Sequence, residues 1–276
     1  MMRKVCVINQ KGGVAKTTTT VSIAAGLSRK GKKVLILDLD AQGNIGVSLK
    51  TQGVKDMYDF LINGCDHREC ITHLGENLDI ITSKETLTKA EFILVGENNR
   101  ENILNSKLQE IKGYDYIIMD CSPSLGLINQ NALLASNEAW IPTTMDVLGF
   151  TALKKIILAI DSLNDVFEHD CTVSKIIPTM FDKRQKMAKE IHGKITNDYY
   201  EIVAEPIRVC SKLKEAPSKG QSIFKYAPKS TAAADYQRLV NSILQDEKKY
   251  DVVMQNEEPV NAVSRTSKSK ARAIKA

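Results

Sequence analysis

The sequence lacks the long apolar run that a membrane-spanning helix requires. Its longest apolar runs have four or five residues, as in Val34–Leu37, whereas a spanning helix needs about 20. The first ten residues, MMRKVCVINQ, contain no extended apolar stretch before a small-residue cleavage site, so no secretory signal is expected. The sequence therefore predicts a cytoplasmic chain without a membrane span.

Paired cysteines are also missing. None of the six cysteines forms the C-x-x-C pair that is typical of zinc and redox sites. They are Cys6, Cys65, Cys70, Cys121, Cys171 and Cys210. Several lie in apolar contexts, where a free cysteine usually behaves as a small hydrophobic side chain. We expect structural thiols in a reducing compartment.

Charge is unevenly distributed, although the net charge is only +5. Residues 260–276 carry five basic residues and no acidic one. A second basic segment, residues 183–229, has eleven Lys or Arg against five Asp or Glu. A positive region on an otherwise acidic body indicates a polyanionic partner.

Apolar strands and amphipathic helices alternate along the chain. Strands are predicted at residues 4–9, 33–40, 78–83, 114–122, 138–144 and 171–180. Helices are predicted at residues 17–30, 54–63, 100–111, 125–135, 151–167, 183–199 and 231–244. Nearly continuous Val, Ile and Leu in the strands is typical of a parallel sheet that is covered on both faces. The sequence predicts one α/β domain over residues 1–245, a doubly wound and mostly parallel sheet with helices on both faces, and a basic, disordered tail over residues 246–276.

The segment NQKGGVAKTTTT, Asn9 to Thr20, follows the first predicted strand and opens the first helix. A glycine-rich loop that is closed by Lys-Thr in this context is the geometry that holds phosphates. Gly12 and Gly13 allow backbone N–H groups to converge, and the helix adds its positive N-terminal end. Lys16 is then placed to reach the β- and γ-phosphates, and the Thr17 hydroxyl to bind Mg²⁺. The alternative is a tight strand-to-helix turn that needs glycine for steric reasons alone.

The common phosphate-loop pattern G-x-x-x-x-G-K-[ST] is not met, because Gln10 and Ala15 stand where its glycines belong. The segment instead resembles the deviant pattern K-G-G-x-G-K-[ST] of the ParA/MinD family of ATPases. In that family the early lysine, here Lys11, crosses a dimer interface to the phosphates of ATP on the other subunit. Ala15 replaces the family's glycine, and alanine is tolerated there only at negative φ. We therefore expect helix-like dihedral angles at Ala15 and retained nucleotide binding.

The resemblance implies ATP and Mg²⁺ as cofactors and assigns catalytic roles to the two lysines of the loop, Lys11 and Lys16. The residues that it implies for nucleotide binding within the loop are Gly12, Gly13, Val14, Ala15, Lys16, Thr17 and Thr18. The fold that it implies is that of a P-loop NTPase.

Three aspartates follow apolar strands. The string LDLDAQGN resembles the ParA motif D-x-D-P-Q-G-N, with Ala41 replacing proline. The resemblance implies that Asp40 orients or activates the attacking water and that Asp38 lies near the metal. In YIIMDCSPS, Asp120 ends a strand, at the sheet edge where ligands bind. It matches the family's Walker B aspartate, which binds Mg²⁺ through water, and Pro123 matches the D-x-x-P switch. A solvated strand-end role for Asp38 and Asp40, and a helix-capping role for Asp120, remain open.

Two later strings narrow the resemblance to the partition branch of the family. IIPTMFDKR and KLKEAPSKGQSIFKYAPKS resemble the ParA/Soj segments T-M-x-D-x-R and E-A-P-S-x-G-x-x-I-x-x-Y-x-P-x-S. The resemblance implies that Met180 and Pro217 line the nucleotide pocket. Cys210 departs from an asparagine that the branch usually has beside the adenine.

The partition branch holds double-stranded DNA without reading its sequence, through basic residues of this half of the chain. Arg184 and Lys212 match two such positions, and three further lysines extend the strip: Lys219, Lys225 and Lys229. Contacts of this kind neutralise phosphates, so affinity depends on salt and hardly on base sequence. Any single one of these lysines is equally consistent with a solvated surface position.

The resemblance implies an ATP-dependent homodimer that binds nucleoid DNA and is released by hydrolysis through Asp40. Intrinsic turnover is expected to be slow and to be raised by a ParB-like centromere-binding protein. The predicted role is plasmid or chromosome segregation.

Two alternatives compete with this interpretation. A MinD-like membrane-associated positioning ATPase carries an amphipathic C-terminal helix, but the tail here offers only Val260, Val263 and Ile274 as large apolar residues. An iron–sulfur carrier related to the nitrogenase iron protein shares the glycine loop. Cys121 lacks the second matched cysteine that such a cluster needs.

Overall fold

The computed structural model describes residues 2–256, and side chains only to residue 247. Seven strands form one sheet in the order β3-β4-β2-β5-β1-β6-β7. The strands are β1 (Arg3–Val7), β2 (Val34–Leu39), β3 (Ile71–Gly75), β4 (Leu78–Ile81), β5 (Tyr116–Cys121), β6 (Glu138–Thr144) and β7 (Thr172–Thr179). All neighbouring strands are parallel except the edge pair β3 and β4, which is antiparallel.

Helices connect the strands. They are α1 (Lys16–Ser28), α2 (Asn44–Leu49), α3 (Met57–Leu61), α4 (His67–Cys70), α5 (Leu87–Leu94), α6 (Ile103–Leu108), α7 (Leu127–Ala135), α8 (Val147–Phe167), α9 (Lys186–Asp198), α10 (Lys212–Glu215), α11 (Ile223–Tyr226) and α12 (Thr231–Asn256). Every residue of β2 and β5 is buried, as expected for central strands covered on both faces. The predicted fold class is confirmed.

The structure differs from the sequence prediction at its edges. The edge strand β3 and the short helices α2, α4, α5, α10 and α11 were not predicted. The last helix extends to Asn256, twelve residues beyond its predicted end. The predicted tail lies outside the described residues from residue 257 onward. The domain boundary at residue 245 stays a prediction.

The chain divides into two units, Met1–Val240 and Asn241–Ala276. The first unit contains the whole sheet, and the second begins within α12. In the first unit, the start of α12 packs on α1. Tyr236 is buried, and its hydroxyl lies 3.1 Å from that of Thr19. Gly26 of α1 faces Val240 and Phe224 so closely that a Cβ at position 26 would lie 2.5 Å from Val240 Cγ2.

The register of the parallel strands places the predicted site residues at one edge of the sheet. Asp38 on β2 is paired directly with Asp120 on β5, and Val7 at the end of β1 is paired with Asp120 from the other side. The loop after β1 therefore begins beside both aspartates.

Candidate functional site

The loop between β1 and α1 is anchored to the neighbouring strands by side-chain hydrogen bonds. Asn9 is buried, and its Nδ2 donates to the Pro142 carbonyl at 2.8 Å, while its Oδ1 accepts from the Lys11 N–H at 2.9 Å. Thr179, at the end of β7, donates its hydroxyl to the Val14 carbonyl at 3.0 Å. These contacts hold the loop over the carboxyl ends of β6 and β7.

Ala15 adopts a left-handed conformation, with φ 67° and ψ 34°. The prediction of helix-like dihedral angles there is wrong. The chain must turn from the loop into α1 at this residue, whose carbonyl accepts the Thr19 N–H at 2.9 Å. A left-handed conformation costs a residue with a Cβ about 1–2 kcal/mol. Strain of this kind is concentrated at functional sites.

Two threonines near the start of α1 contact Asp120. Thr17 donates its hydroxyl to Asp120 Oδ2 at 2.7 Å, and Thr20 donates to Oδ1 at 3.0 Å. Thr19 lies on the other side of the helix, against Tyr236. The sequence predicted Thr17 at this site but missed Thr20. Thr20 comes three residues after Thr17, so both side chains lie on one face of α1. This spacing is the sequence feature that identifies Thr20.

Three carboxylates and one lysine meet at this edge of the sheet. Asp38 is buried and accepts the backbone N–H groups of Asp40 and Ile45, each at 3.2 Å. Asp40 is only partly buried, and its Oδ1 accepts the Gln42 N–H at 3.0 Å. Lys16 is buried, and its Nζ donates to the Asn9 carbonyl at 3.1 Å.

Burial dominates the electrostatics of these groups. It raises the pKa of Asp38 well above its usual range, and the neighbouring Asp120 carboxylate raises it further. Burial also raises the pKa of Asp120 to about 6, against the opposing hydrogen bonds from Thr17 and Thr20. The pKa of Lys16 is lowered by burial, with Asp120 opposing that shift. Three carboxylates around one lysine leave excess negative charge that a cation would neutralise.

The donor atoms fit magnesium. Mg²⁺ prefers oxygen ligands and is usually held by one or two protein groups together with substrate phosphates. Thr17 and Asp120 offer such oxygens at the start of α1, beside the phosphate-binding loop. Among the residues that the structure describes, no three His, Cys, Asp or Glu side chains form a ready-made metal cluster. All six cysteines are free thiols, and Cys6, Cys70, Cys121 and Cys171 are buried.

Lys11 is paired within its own chain. Its Nζ lies 2.8 Å from both carboxylate oxygens of Asp146 and 2.9 Å from the Thr144 hydroxyl. Asp146 also caps α8 by accepting the Gly149 N–H at 2.8 Å. Burial alone would raise the pKa of Asp146, but the hydrogen bonds from Lys11, Thr144 and Gly149 lower it to about 2. The sequence missed Thr144 and Asp146, and the contact of Lys11 with a second subunit stays a prediction.

A cleft beside the start of α1 is lined in part by Pro217. Its lining includes Thr17, Thr18, Leu49, Leu213, Pro217 and Ile223. Pro217 thus lies across this cleft from Thr17 and Thr18, and its role as a wall of the nucleotide pocket stays a prediction. Met180 does not line this cleft; it follows β7 with φ 52° and is half exposed.

Two residues of the predicted basic strip form ion pairs with acidic residues that are near them in the sequence. The Arg184 guanidinium is paired with Asp182, with Nη2 to Oδ2 at 2.7 Å, and Lys212 is paired with Glu215 at 2.8 Å. Phe181 and Arg208 form a parallel bridge, so the segments that lead to Arg184 and Lys212 start side by side. The other three lysines, Lys219, Lys225 and Lys229, are exposed.

No helix among the described residues is both long and apolar enough to cross a bilayer.

Comparison with known proteins identifies relatives across most of the chain. A family model described as an AAA domain matches residues 2–173. The sporulation initiation inhibitor protein Soj of Bacillus subtilis is 34% identical over 88% of this chain and 98% of its own length. The chromosome partitioning protein ParA of Myxococcus xanthus is 34% identical over 88% of each chain.

The fold is also found in solved structures. Cobyrinic acid a,c-diamide synthase from Mycobacterium smegmatis, solved with bound ADP and magnesium, superimposes with a TM-score of 0.78 at 27% identity. The match covers 91% of this chain and 97% of that protein. The sheet is thus that of P-loop NTPases, and the sequence relatives place the chain in one branch of them: it belongs to the ParA/Soj family of partition ATPases.

Proposed function

We propose that the chain is a ParA-type ATPase that hydrolyses ATP with Mg²⁺ and serves plasmid or chromosome segregation. The observation that carries this proposal is the arrangement around Asp120. Its two oxygens accept hydrogen bonds from Thr17 and Thr20 at the start of α1, beside the buried Lys16 and the partly buried Asp40. A phosphate loop, a metal-binding pair and a carboxylate for water are the parts that phosphoryl transfer to water requires.

Each group has a role in hydrolysis. The backbone N–H groups of Gly12 to Thr17 and the ammonium of Lys16 bind the phosphates, with Thr18 and Pro217 on the wall of the nucleotide cleft. Thr17 and Asp120 hold Mg²⁺, with Asp38 behind them. When bound, Mg²⁺ neutralises charge on the phosphate oxygens. Asp40 is accessible, and it orients the attacking water and accepts its proton.

Dimerisation couples the binding of nucleotide to the binding of DNA. Lys11 leaves Asp146 and contacts the phosphates bound to a second copy of the chain, so that only the ATP-bound state forms a homodimer. Two basic strips then act together. Because each phosphate contact releases counterions, doubling the number of contacts strengthens DNA binding steeply. The DNA is double-stranded and sequence-nonspecific, which associates the protein with the nucleoid.

Hydrolysis of ATP ends the DNA-bound state of the dimer. Slow intrinsic turnover keeps the dimer on DNA until a ParB-like centromere-binding protein accelerates hydrolysis. The residues proposed for DNA contact are Arg184, Lys212, Lys219, Lys225 and Lys229.

DNA-binding titrations with ATP, with ADP and without nucleotide, each at two salt concentrations, test this proposal. We expect tight DNA binding only when ATP is present, and we expect the affinity for DNA to fall as the salt concentration rises. Lys225→Ala is expected to reduce the slope of log affinity against log salt by about 1. Lys89→Ala, which removes an exposed lysine outside the strip, serves as the matched control.

Two outcomes would contradict parts of the proposal. Equal DNA affinity in all three nucleotide states would exclude the switch. Full ATP-dependent dimerisation of Lys11→Ala would exclude the role of Lys11.

A further inference from the structure

The segment that follows Asp120 is held in place by one side chain of α7. Asn129 is buried, and its Nδ2 donates to the Ser122 carbonyl at 2.8 Å and also to the Ser124 carbonyl. These two carbonyls belong to the chain immediately after the proposed metal-binding residue. This amide fixes the path of residues 122–124 together with a 3.0 Å hydrogen bond between the hydroxyls of Ser122 and Ser124.

The other end of this amide is unsatisfied. Asn129 Oδ1 is buried and has no hydrogen-bond partner among the described residues. Turning the amide over would place Oδ1 against two carbonyl oxygens, so the hydrogen bonds of Nδ2 settle its orientation. A buried acceptor without a partner is destabilising and rare in native proteins.

Asn131, two residues further along the same helix, shows that the surroundings can satisfy such an amide fully. Its Oδ1 accepts the Leu104 N–H at 3.0 Å, and its Nδ2 donates to the carbonyls of Arg100 and Leu127 at 2.8 and 2.9 Å. The missing partner is thus specific to Asn129, which faces the segment after Asp120.

Two backbone donors without a partner among the described residues lie in the same segment. The backbone N–H groups of Ser124 and Leu125 make no hydrogen bond within the part of the chain that the structure describes. Both residues are at least partly exposed. An unpaired buried acceptor and two unpaired donors are therefore only a few residues apart.

The far end of the segment is fixed by α5. Glu91 Oε1 accepts the Ile128 N–H at 3.4 Å, and the Glu91 carboxylate occupies the space that a side chain at Gly126 would need. Glu91 therefore fixes Gly126 and the start of α7, and Gln130 Nε2 of the same helix donates to the Leu125 carbonyl at 3.5 Å.

We propose that Asn129 is a positioning residue for residues 122–125 in the hydrolytic cycle. In the described conformation its amide nitrogen holds the carbonyls of Ser122 and Ser124. When ATP binds, the segment rearranges, and the Asn129 oxygen accepts a backbone N–H from Ser124 or Leu125. Asn129 thus sets the position of the chain beside Asp120 in both states. This inference rests on the proposed ATP hydrolysis.

The test compares Asn129→Leu with Asn131→Leu. Each substitution removes one buried amide from α7, but only the first touches residues 122–125. We expect Asn129→Leu to lower kcat about tenfold with little change in KM, as loss of a supporting hydrogen bond does. Asn131→Leu is expected to lower the melting temperature and to leave kcat per folded protein unchanged.

Hydrogen exchange of residues 121–126, with and without a non-hydrolysable ATP analogue, provides the second measurement. In the wild-type chain the analogue is expected to slow exchange at Ser124 or Leu125, and in Asn129→Leu this protection is lost. Asn129→Ser replaces Asn129→Leu if the latter does not fold.

Wild-type kcat and wild-type protection in the Asn129 variant would overturn the inference. An equal loss of kcat in the Asn131 variant would also overturn it, because the effect would then be one of general packing. If the wild-type chain does not hydrolyse ATP, the proposed function fails, and the exchange comparison alone decides the role of Asn129.

Discussion

Lys11 and Asp146 form an ion pair that closes a contact between the phosphate-binding loop and the first turn of α8. The Nζ of Lys11 is 2.8 Å from each Asp146 oxygen, and its side chain is only 26% exposed. A lysine that is held in this way is not free to reach another subunit. Association of two chains through Lys11 must therefore begin by breaking the pair.

Asp146→Asn is expected to strengthen ATP-dependent association. Asparagine still caps α8, but it no longer holds the ammonium by charge. Because a partly exposed ion pair contributes about 0.2–1 kcal/mol and two such pairs break per homodimer, the dimer should form at a concentration about 2- to 30-fold lower. Light scattering across a concentration series with Mg-ATP measures the shift.

Asp182→Asn, which frees Arg184 from a comparable ion pair, is the control and should leave association unchanged. Weaker association of Asp146→Asn would mean that Asp146 itself contributes to the dimer contact.

Ala15→Gly is expected to stabilise the chain. Glycine adopts the left-handed conformation without the steric cost that the Cβ of Ala15 imposes. A gain of about 1 kcal/mol raises the melting temperature by about 2–4 °C in a protein of this size. Ala234→Gly, at an exposed position within α12, should shift melting the opposite way because glycine weakens helices. A lower melting temperature for Ala15→Gly would show that the alanine methyl group makes a favourable contact in the loop.

Three of the four threonines of α1, Thr17, Thr19 and Thr20, should separate by function. Thr20→Val leaves Asp120 Oδ1 without its hydrogen bond, so we expect a roughly tenfold lower hydrolysis rate and a higher Mg²⁺ requirement. Thr17→Val removes a proposed metal ligand and should have a larger effect. Thr19→Val loses only the contact with Tyr236, so it should lower the melting temperature and leave the Mg²⁺ titration unchanged. Identical Mg²⁺ titrations for Thr20→Val and the wild type would show that Thr20 has no role in orienting Asp120.

The central strands and the phosphate-binding loop were predictable because their determinants are local. β2 and β5 are continuous apolar segments that are buried on both faces, and each ends at a predicted aspartate. Parallel pairing then places Asp38 beside Asp120 without any further information. The strings at the end of β7 and beyond it narrowed the family to its partition branch for the same reason, since each is contiguous in the chain.

The features that were missed depend on contacts between distant parts of the chain. Lys11 and Asp146 are 135 residues apart, and no local pattern relates them. The dihedral angles of Ala15 were predicted wrongly because the preference of alanine for negative φ is only one of the determinants at this position. Closure of the loop onto β6 and β7 imposes the left-handed turn in spite of that preference. Asn129 was not predicted, because a single asparagine on a largely apolar helix forms no recognisable sequence pattern.

Packing of α12 on the phosphate-loop helix supplies the last prediction. Gly26 lies where a Cβ would be 2.5 Å from Val240 Cγ2 and 3.1 Å from the Phe224 ring. Gly26→Ala is therefore expected to destabilise the chain by about 1–3 kcal/mol, although alanine is the better helix former. Gly193→Ala, in α9 with no atom near the added methyl group, should instead stabilise it slightly.

Thermal or urea unfolding measures both changes, and a double variant identifies the cause. If the clash with Val240 is responsible, Val240→Ala should cost less in the Gly26→Ala background than alone, because the smaller side chain makes room for the added methyl group. Additive effects of the two substitutions would contradict this explanation. Since α1 also carries Lys16 and Thr17, a strained Gly26→Ala helix should weaken nucleotide binding as well, and the Val240→Ala background should restore it.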